Sequence, residues 1–426
     1  MLLKAIKRMC STSSAPLRSS LCIVGPKASE VVRKIIPDID IEKVIAEGPE
    51  VHKQNLVARN IKSGDLIGMS VEHLFAKLMK FQKSTEEMLE IAMQREAAQK
   101  EYKEVPYDVT FDKLKNFKNL YKQKQKEIWL NEENAIVPYL KLPNILDPLA
   151  PDQDTEIFQS KDFKSNQNEV NEEAFEVKDD SIFLSGDLAI QELNLTRQVL
   201  SFLYDNSYEI IAPPDIVKNH ILEGFSPTAF EDPKDNFNLG KSSDFGHVSS
   251  GLGAHLVGSA STPALLSYFV KNILQNSNLL PLKYFSIGRQ YWPLQDSKPS
   301  LYQSEQTTAC GFLILNKDQT QASESHEAII EDLKAFYDLL ELNYKIVIVA
   351  GDKLNLAESS RIEVQMWSDN AGEYVSVGHV SKYGNFLSKR LSLKYSENET
   401  LQDFYIISGT FIDVFKVLDC KYKIKK

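Results

Sequence analysis

KYFSIGRQYWPLQDSKPSLYQSEQTTACGFLIL, residues 283–315, reads as strand, loop, strand. Tyr284, Phe285 and Ile287 open one apolar run, and Cys310 to Leu315 closes another. Between them lies a polar turn with Pro293, Asp296, Lys298 and Pro299, the form expected of an antiparallel pair. Arg289 stands at the end of the first strand among aromatics, where a solvated arginine has no obvious reason to be.

The chain has 426 residues, long enough for two or three domains. It holds no run of 18 apolar residues, so no membrane span is expected. A net charge of −10 argues against a uniformly basic nucleic-acid binder and leaves local basic patches open. Cys10, Cys22, Cys310 and Cys420 are scattered, without zinc-type spacing, so neither a metal nor any other cofactor is expected. Such single thiols suit a reducing compartment.

The first 29 residues carry Lys4, Lys7, Arg8, Arg18 and Lys27 but no acid, and serines crowd positions 11–20. That is the composition of a mitochondrial transit peptide, placed at 1–25, with a basic tail as the alternative. Val71, Leu74, Leu78, Phe81, Thr85, Met88 and Ala92 then repeat in steps of three and four over a helix from 71 to about 100. Pro106 stops it, and a second helix is expected from about 111 to 137, with Leu114, Phe117, Tyr121 and Ile128 on one face. Two such helices should fold back as a hairpin arm within a domain spanning 26–140. Lys113, Lys115, Lys118, Lys122, Lys124 and Lys126 make the second helix basic, either to grip a phosphate backbone or as a solvated coiled-coil face.

Residues 151–180 hold ten acids against three lysines and read as a linker or surface loop within a 141–181 segment. From 182 to 426 the pattern is one α+β domain. A helix is expected over 188–206, with strands near His255, Tyr284, Phe312, 344–350, 362–367 and 374–377. Further helices are expected over 263–275, 323–340 and 410–422, so that an antiparallel sheet is flanked by helices. Gly251-Leu252-Gly253 is too short for a phosphate loop and reads as a turn. His247 and His255 read as loop and strand residues rather than ligands.

Taken in order, these segments resemble the seryl-tRNA synthetases, a class II aminoacyl-tRNA synthetase family. The series is the helical arm, then Leu142-Pro143-Asn144-Ile145, then a long helix leading into Tyr208 to Pro214. The chain is more similar still to the insect mitochondrial seryl-tRNA synthetase-like proteins, a paralogous group that keeps the fold without the active site. The resemblance implies that the helix and strand around Leu193 to Pro214, with Tyr208, Pro213 and Pro214, form a dimer interface. Adenylation in the family needs arginines on ATP phosphates, because guanidinium stays charged and meets phosphate oxygens bidentately. By the resemblance Arg289 is the surviving member of that group, with Tyr291 standing where the family has a glutamate and Cys310 near a second one. The serine-recognition segment, Thr-x-Glu in the family, corresponds to Ser259-Ala260-Ser261. Asn385 to Arg390 resembles a further family segment with its first acid and its glutamine replaced. The third motif needs a glycine–arginine pair opening the last helix; Arg390 is the final arginine, none occurs among the 36 residues 391–426, and Ile412 lies near the missing arginine's place.

The resulting expectation is a matrix protein of mitochondria that is not an aminoacylating enzyme. It would bind itself or the active mitochondrial seryl-tRNA synthetase, and mitochondrial tRNA-Ser or other RNA through its arm. A divergent but active mitochondrial serine–tRNA ligase is the alternative.

Overall fold

The computed structural model describes residues 35, 37–104, 108–161, 168–170, 174–179, 181–226, 237–239, 254–294 and 298–424. The transit-peptide expectation, the stop at Pro106, His247 and the Gly251–Gly253 turn lie outside them. The chain divides into two compact units at Leu142 and Pro143.

The first unit contains the arm. Helix α1 (Val71–Glu104) and helix α2 (Asp108–Lys141) are each 34 residues long, so each extends about 50 Å at 1.5 Å per residue. Both overrun the ranges read from sequence. Pro138 lies inside the last turn of α2, where a missing N–H deprives the helix of a single hydrogen bond. Val71, Leu74, Leu78 and Phe81 are buried, with Ile128, Ala135 and Ile136 facing them. Thr85, the polar member of the heptad row, returns its hydroxyl to the Phe81 carbonyl at 2.9 Å. The helices run antiparallel: Asn131 Nδ2 donates to Ser84 Oγ at 2.8 Å, and Lys113 Nζ meets Glu101 at 2.7 Å.

The second unit is built on a sheet of eight described strands. In chain order these are β1 (Thr155–Gln159), β2 (Glu209–Ile210), β3 (Leu282–Tyr291), β4 (Gln306–Asn316), β5 (Tyr344–Ile348), β6 (Ser360–Ser368), β7 (Glu373–Gly384) and β8 (Tyr405–Asp413). Their spatial order is β1-β5-β6-β7-β8-β4-β3-β2. All pairings are antiparallel except β2 against β3. The 283–315 stretch is therefore the expected hairpin, pairing Leu282 with Leu315 through to Tyr291 with Gln306.

One face of the sheet packs against helices α3 (Gly186–Asp205), α5 (Gln319–Leu339) and α6 (Val414–Lys421). Side chains alternate along a strand, so Phe285 and Ile287 of β3, and Cys310, Phe312 and Ile314 of β4, meet that first face. Leu188, Leu195, Val199 and Leu203 of α3 cover them, with Ile329, Leu333 and Phe336 of α5. The short helix α4 (Thr262–Ser267) lies against the second face, where Thr262 Oγ1 meets Ser408 Oγ at 3.0 Å.

Four sequence expectations change. Residues 151–180 are not only a linker, since Thr155–Gln159 forms the edge strand β1 on β5 and Phe175–Lys178 pairs with Ser181–Leu184. The helix expected over 263–275 ends at Ser267; Lys271 takes a positive φ and Ile273–Leu274 forms a short strand. Strand β7 starts at Glu373 and runs well beyond 377, to Gly384. The helix expected from Thr410 begins only at Val414, because residues 405–413 form β8, a strand buried on both faces that lacks the alternation marking a half-exposed one.

Three half-buried histidines give the second unit a pH signature. Burial lowers His220 to about 4, His326 to about 4 and His379 to about 3, with nearby cations adding to the effect. An unfolded imidazole titrates near 6.5. Between these values the unfolded chain binds protons that the native one refuses, so stability is complete above pH 6.5 and falls as pH drops toward 4. The melting temperature is expected to decline from pH 7 to pH 5, where ordinary carboxylates are still ionised, and His379→Gln should flatten that decline.

Candidate functional site

Arg289 lies on the first face. It is paired with Thr308, two residues along from Ile287, and its guanidinium meets α3 and α6. Arg289 Nη1 donates to Glu192 Oε1 at 3.2 Å and to the Thr308 hydroxyl, while that hydroxyl donates to the same Glu192 carboxylate. The guanidinium carbon stands 5.8 Å from the centre of the Phe415 ring. Glu192 was not singled out in the sequence, although its position offered a signal. It falls in the apolar row Leu188, Leu195, Val199 of an amphipathic helix, and a carboxylate there needs a cation.

Ser259, Ala260 and Ser261 lie on the opposite face. A Cβ at Gly288 would stand 2.0 Å from Ser259 Oγ, and one at Gly311 would stand 1.9 Å from the Ala260 carbonyl oxygen. Gln290 Nε2 donates to that carbonyl at 2.8 Å and to Thr410 Oγ1 at 3.0 Å. The sheet thus separates Arg289 from the segment with which the resemblance would group it. A cation reaching from β3 toward Ser259–Ser261 would have to stand at 286, 288 or 290, and those positions hold Ser286, Gly288 and Gln290. On β4 the same face presents Thr307, Ala309 and Gly311. The Ser261 hydroxyl is structural: its Oγ caps α4, accepting from the Ala264 N–H at 3.4 Å and donating to the Gly258 carbonyl at 2.7 Å. The Ser259 N–H donates to Asp215 at 2.7 Å.

The remaining positions are placed as follows. Cys310 and Ile412 pair with each other across β4 and β8 inside the first-face core, and burial pushes the Cys310 thiol well above its ordinary range. Ile412 is therefore not at a helix start. The first turn of α6 holds Val414, Phe415 and Lys416, with Asp413 as its cap. The cation there is Lys416, whose Nζ lies 3.6 Å from the Asp413 carboxylate; that carboxylate also accepts from the Thr307 hydroxyl. Tyr291 is half-buried, and burial raises its phenol, with the Asp215 charge adding to the shift. Arg390 is buried and donates to the carbonyls of Gly224 and Glu223. His255 is buried in a three-residue strand with Nε2 2.8 Å from Asn219 Oδ1.

At the expected dimer surface Tyr208 is only 2 % exposed; its hydroxyl donates to Asp332 at 2.9 Å, so it is a core residue. Pro213 is half-buried and Pro214 exposed. What the surface offers instead is the outer side of α3, where Ile190, Leu193, Leu200 and Tyr204 are 54, 69, 40 and 67 % exposed. On the arm the six lysines divide. Lys113 pairs with Glu101, and Lys124 pairs with Glu87 across the hairpin and with Glu127 at 2.9 Å. Lys115, Lys118, Lys122 and Lys126 are exposed. At 3.6 residues per turn these four fall within an arc of about 80° on the solvent side of α2.

Residues 253–421 match the tRNA synthetase class II core domain (G, H, P, S and T). Over 424 residues the chain is 25 % identical to the serine–tRNA synthetase-like protein Slimp of Drosophila melanogaster, covering 95 % of this chain and 87 % of that one. The chain is similar to this seryl-tRNA synthetase-like protein along nearly its whole length. It is also 21 % identical over 418 residues to the mitochondrial serine–tRNA ligase of Saccharomyces cerevisiae, covering 90 % of this chain and 89 % of the ligase. The crystal structure of seryl-tRNA synthetase from Pyrococcus horikoshii complexed with ATP superposes on it with a TM-score of 0.74 at 17 % identity, covering 90 % and 93 % of the two chains. The fold is that of a class II synthetase: an antiparallel sheet with flanking helices, preceded by a helical hairpin.

Proposed function

We propose that this seryl-tRNA synthetase-like chain is a non-catalytic mitochondrial paralogue that works by binding. The observation that carries this reading is the second face of β3 and β4. Ser286, Gly288, Gln290, Thr307, Ala309 and Gly311 offer no cation for a phosphate and no carboxylate for a substrate ammonium or for magnesium. Preorganised charges of that kind are worth about 2.7–4 kcal/mol each to the barrier. Arg289 of β3 and Lys416 of α6 are held by the chain's own Glu192 and Asp413. Serine-dependent ATP–pyrophosphate exchange by the purified chain is expected to stay at background. A serine-dependent rate above that of a blank overturns the reading.

The outer row of α3 supports association with a second chain of the same plan, either a copy of this one or the active mitochondrial seryl-tRNA synthetase. A paralogue inherits such a surface, and four large apolar side chains on one side of a helix leave an area that water covers poorly. The stripe of four exposed lysines supports binding of tRNA-Ser or another RNA by its backbone. The acid-free, serine-rich first 29 residues support import into the mitochondrial matrix. A divergent ligase is favoured by one observation, the match to the yeast mitochondrial enzyme along nearly its full length. The exchange assay separates the two readings.

A further inference from the structure

We propose that the groove between strand β1 and helix α5 binds a small zwitterion, a dipeptide with free ends. The groove measures about 610 Å3 and lies wholly in the second unit, a volume usual for small-molecule sites. One wall is set by a β-bulge. Glu156 pairs with Val347 and Phe158 with Ile346, so Ile157 is the extra residue and stands 45 % exposed. Successive side chains alternate, so an unbroken register would turn residue 158 to the second face. The bulge turns Phe158 to the first face instead, 5.7 Å from the Tyr344 ring between centroids and beside α5. The other wall is Glu331, Lys334, Ala335 and Asp338, spaced three and four apart on one side of α5. Ala335 is the small member of that row, and its methyl leaves the groove open.

Two charges in the groove hold each other, and two are left for a ligand. Lys334 Nζ meets Glu331 Oε1 at 2.8 Å and stands 4.8 Å from the centre of the Phe158 ring. Asp338 accepts the Tyr344 hydroxyl on Oδ1 at 2.9 Å, and its other oxygen has no partner among the described residues. Lys161, just past β1, is exposed and meets no acid among the described residues. The groove thus offers one carboxylate and one ammonium, with the Phe158 ring and the Ala335 methyl as apolar surface. A polyanion would meet Glu331 and Asp338, and a polyamine would meet Lys161 and Lys334; like charges so placed are rejected. A dipeptide with free ends complements both groups. Its N-terminal ammonium would donate to Asp338, its C-terminal carboxylate would accept from Lys161, and an apolar side chain would rest on Phe158. Bonds of this charged kind are the stronger ones.

The test is calorimetric titration of the purified full chain with glycyl-leucine, its N-acetylated form and its C-amidated form. Glycyl-leucine is expected to bind saturably, and either cap to weaken it about tenfold or more, as for loss of one charged hydrogen bond. Lys161→Ala should weaken glycyl-leucine by a similar factor and leave the affinity for the amidated form unchanged. Asp338→Asn should act in the same way, with the acetylated form as the one left unchanged. Ala335→Trp, at an exposed helix position, should abolish binding by filling the groove. No saturable binding to the wild type overturns the proposal. So do caps without effect, or binding that survives in folded Ala335→Trp. If Ala335→Trp does not fold, Lys161→Ala decides: an unchanged affinity for glycyl-leucine overturns the proposal, and selective weakening supports it.

Discussion

Gly311→Ala is expected to destabilise the second unit by about 3 kcal/mol or more, the upper range for overpacking a filled interior. The added Cβ would stand 1.9 Å from the Ala260 carbonyl oxygen and 2.8 Å from its carbon. Both atoms are backbone, so no rotamer change can relieve the contact. Segment 258–260 is also held from the other side. Gly258 has a positive φ of 87°, and a Cβ there would lie 2.0 Å from the Arg289 carbonyl oxygen. Displacing Ala260 would break the bond from Gln290 and disturb the turn that Ser261 uses to cap α4. Gly372→Ala is the control: it also has a positive φ but meets nothing within 4 Å, so its cost should be the left-handed backbone term alone, about 1–2 kcal/mol. Chemical denaturation of the two variants decides the matter. Equal stabilities would mean that segment 258–260 does not rest on the sheet as described.

Reversing Lys115, Lys118, Lys122 and Lys126 together to glutamate is expected to lower RNA affinity by about a hundredfold or more at moderate salt. Four phosphate contacts give a log–log salt slope of about −3 to −4, and the variant should lose nearly all of it. The four lysines advance by three or four residues, so their stems rise about 4.5–6 Å from one to the next along α2. Reversing Lys113 and Lys124 should act differently. Those two pair with Glu101 and Glu87 of the facing helix, so their loss should lower the melting temperature of the arm and leave the salt slope in place. Filter binding of tRNA across a salt series, with thermal melts of the same variants, separates the two effects. If the fourfold variant binds with the wild-type affinity and slope, the stripe is only a solvated face.

The hairpin at 283–315 was legible because both strands carry apolar residues at the right spacing around a proline-bearing loop. The arm was legible from its heptad row. What sequence could not give was the face to which a side chain turns once paired. Arg289 and Cys310 fall on the first face with Phe285 and Phe312, and Gln290 and Gly311 on the second. A motif aligned in one dimension does not say which of two neighbours reaches a ligand. The division of the lysines was hidden for a similar reason, since Glu87 and Glu101 lie in another helix. Strand β8 was hidden because both its faces are buried, and a continuous apolar run does not distinguish strand from helix. Tyr208 was assigned to a surface by its place in a motif, whereas it is buried and its hydroxyl has a partner in Asp332 of α5.

The pair between Ser84 and Asn131, both nearly inaccessible to water, bears on what the arm can do. Sliding one helix along the other by a turn would leave an amide and a hydroxyl facing hydrocarbon, each without a partner. The apolar rows alone would tolerate such a slide, since one turn brings the next apolar side chain into place. With the pair fixed, the tip cannot lengthen or shorten relative to the root, and the arm acts as a ruler that holds its four exposed lysines at a set distance from its own base.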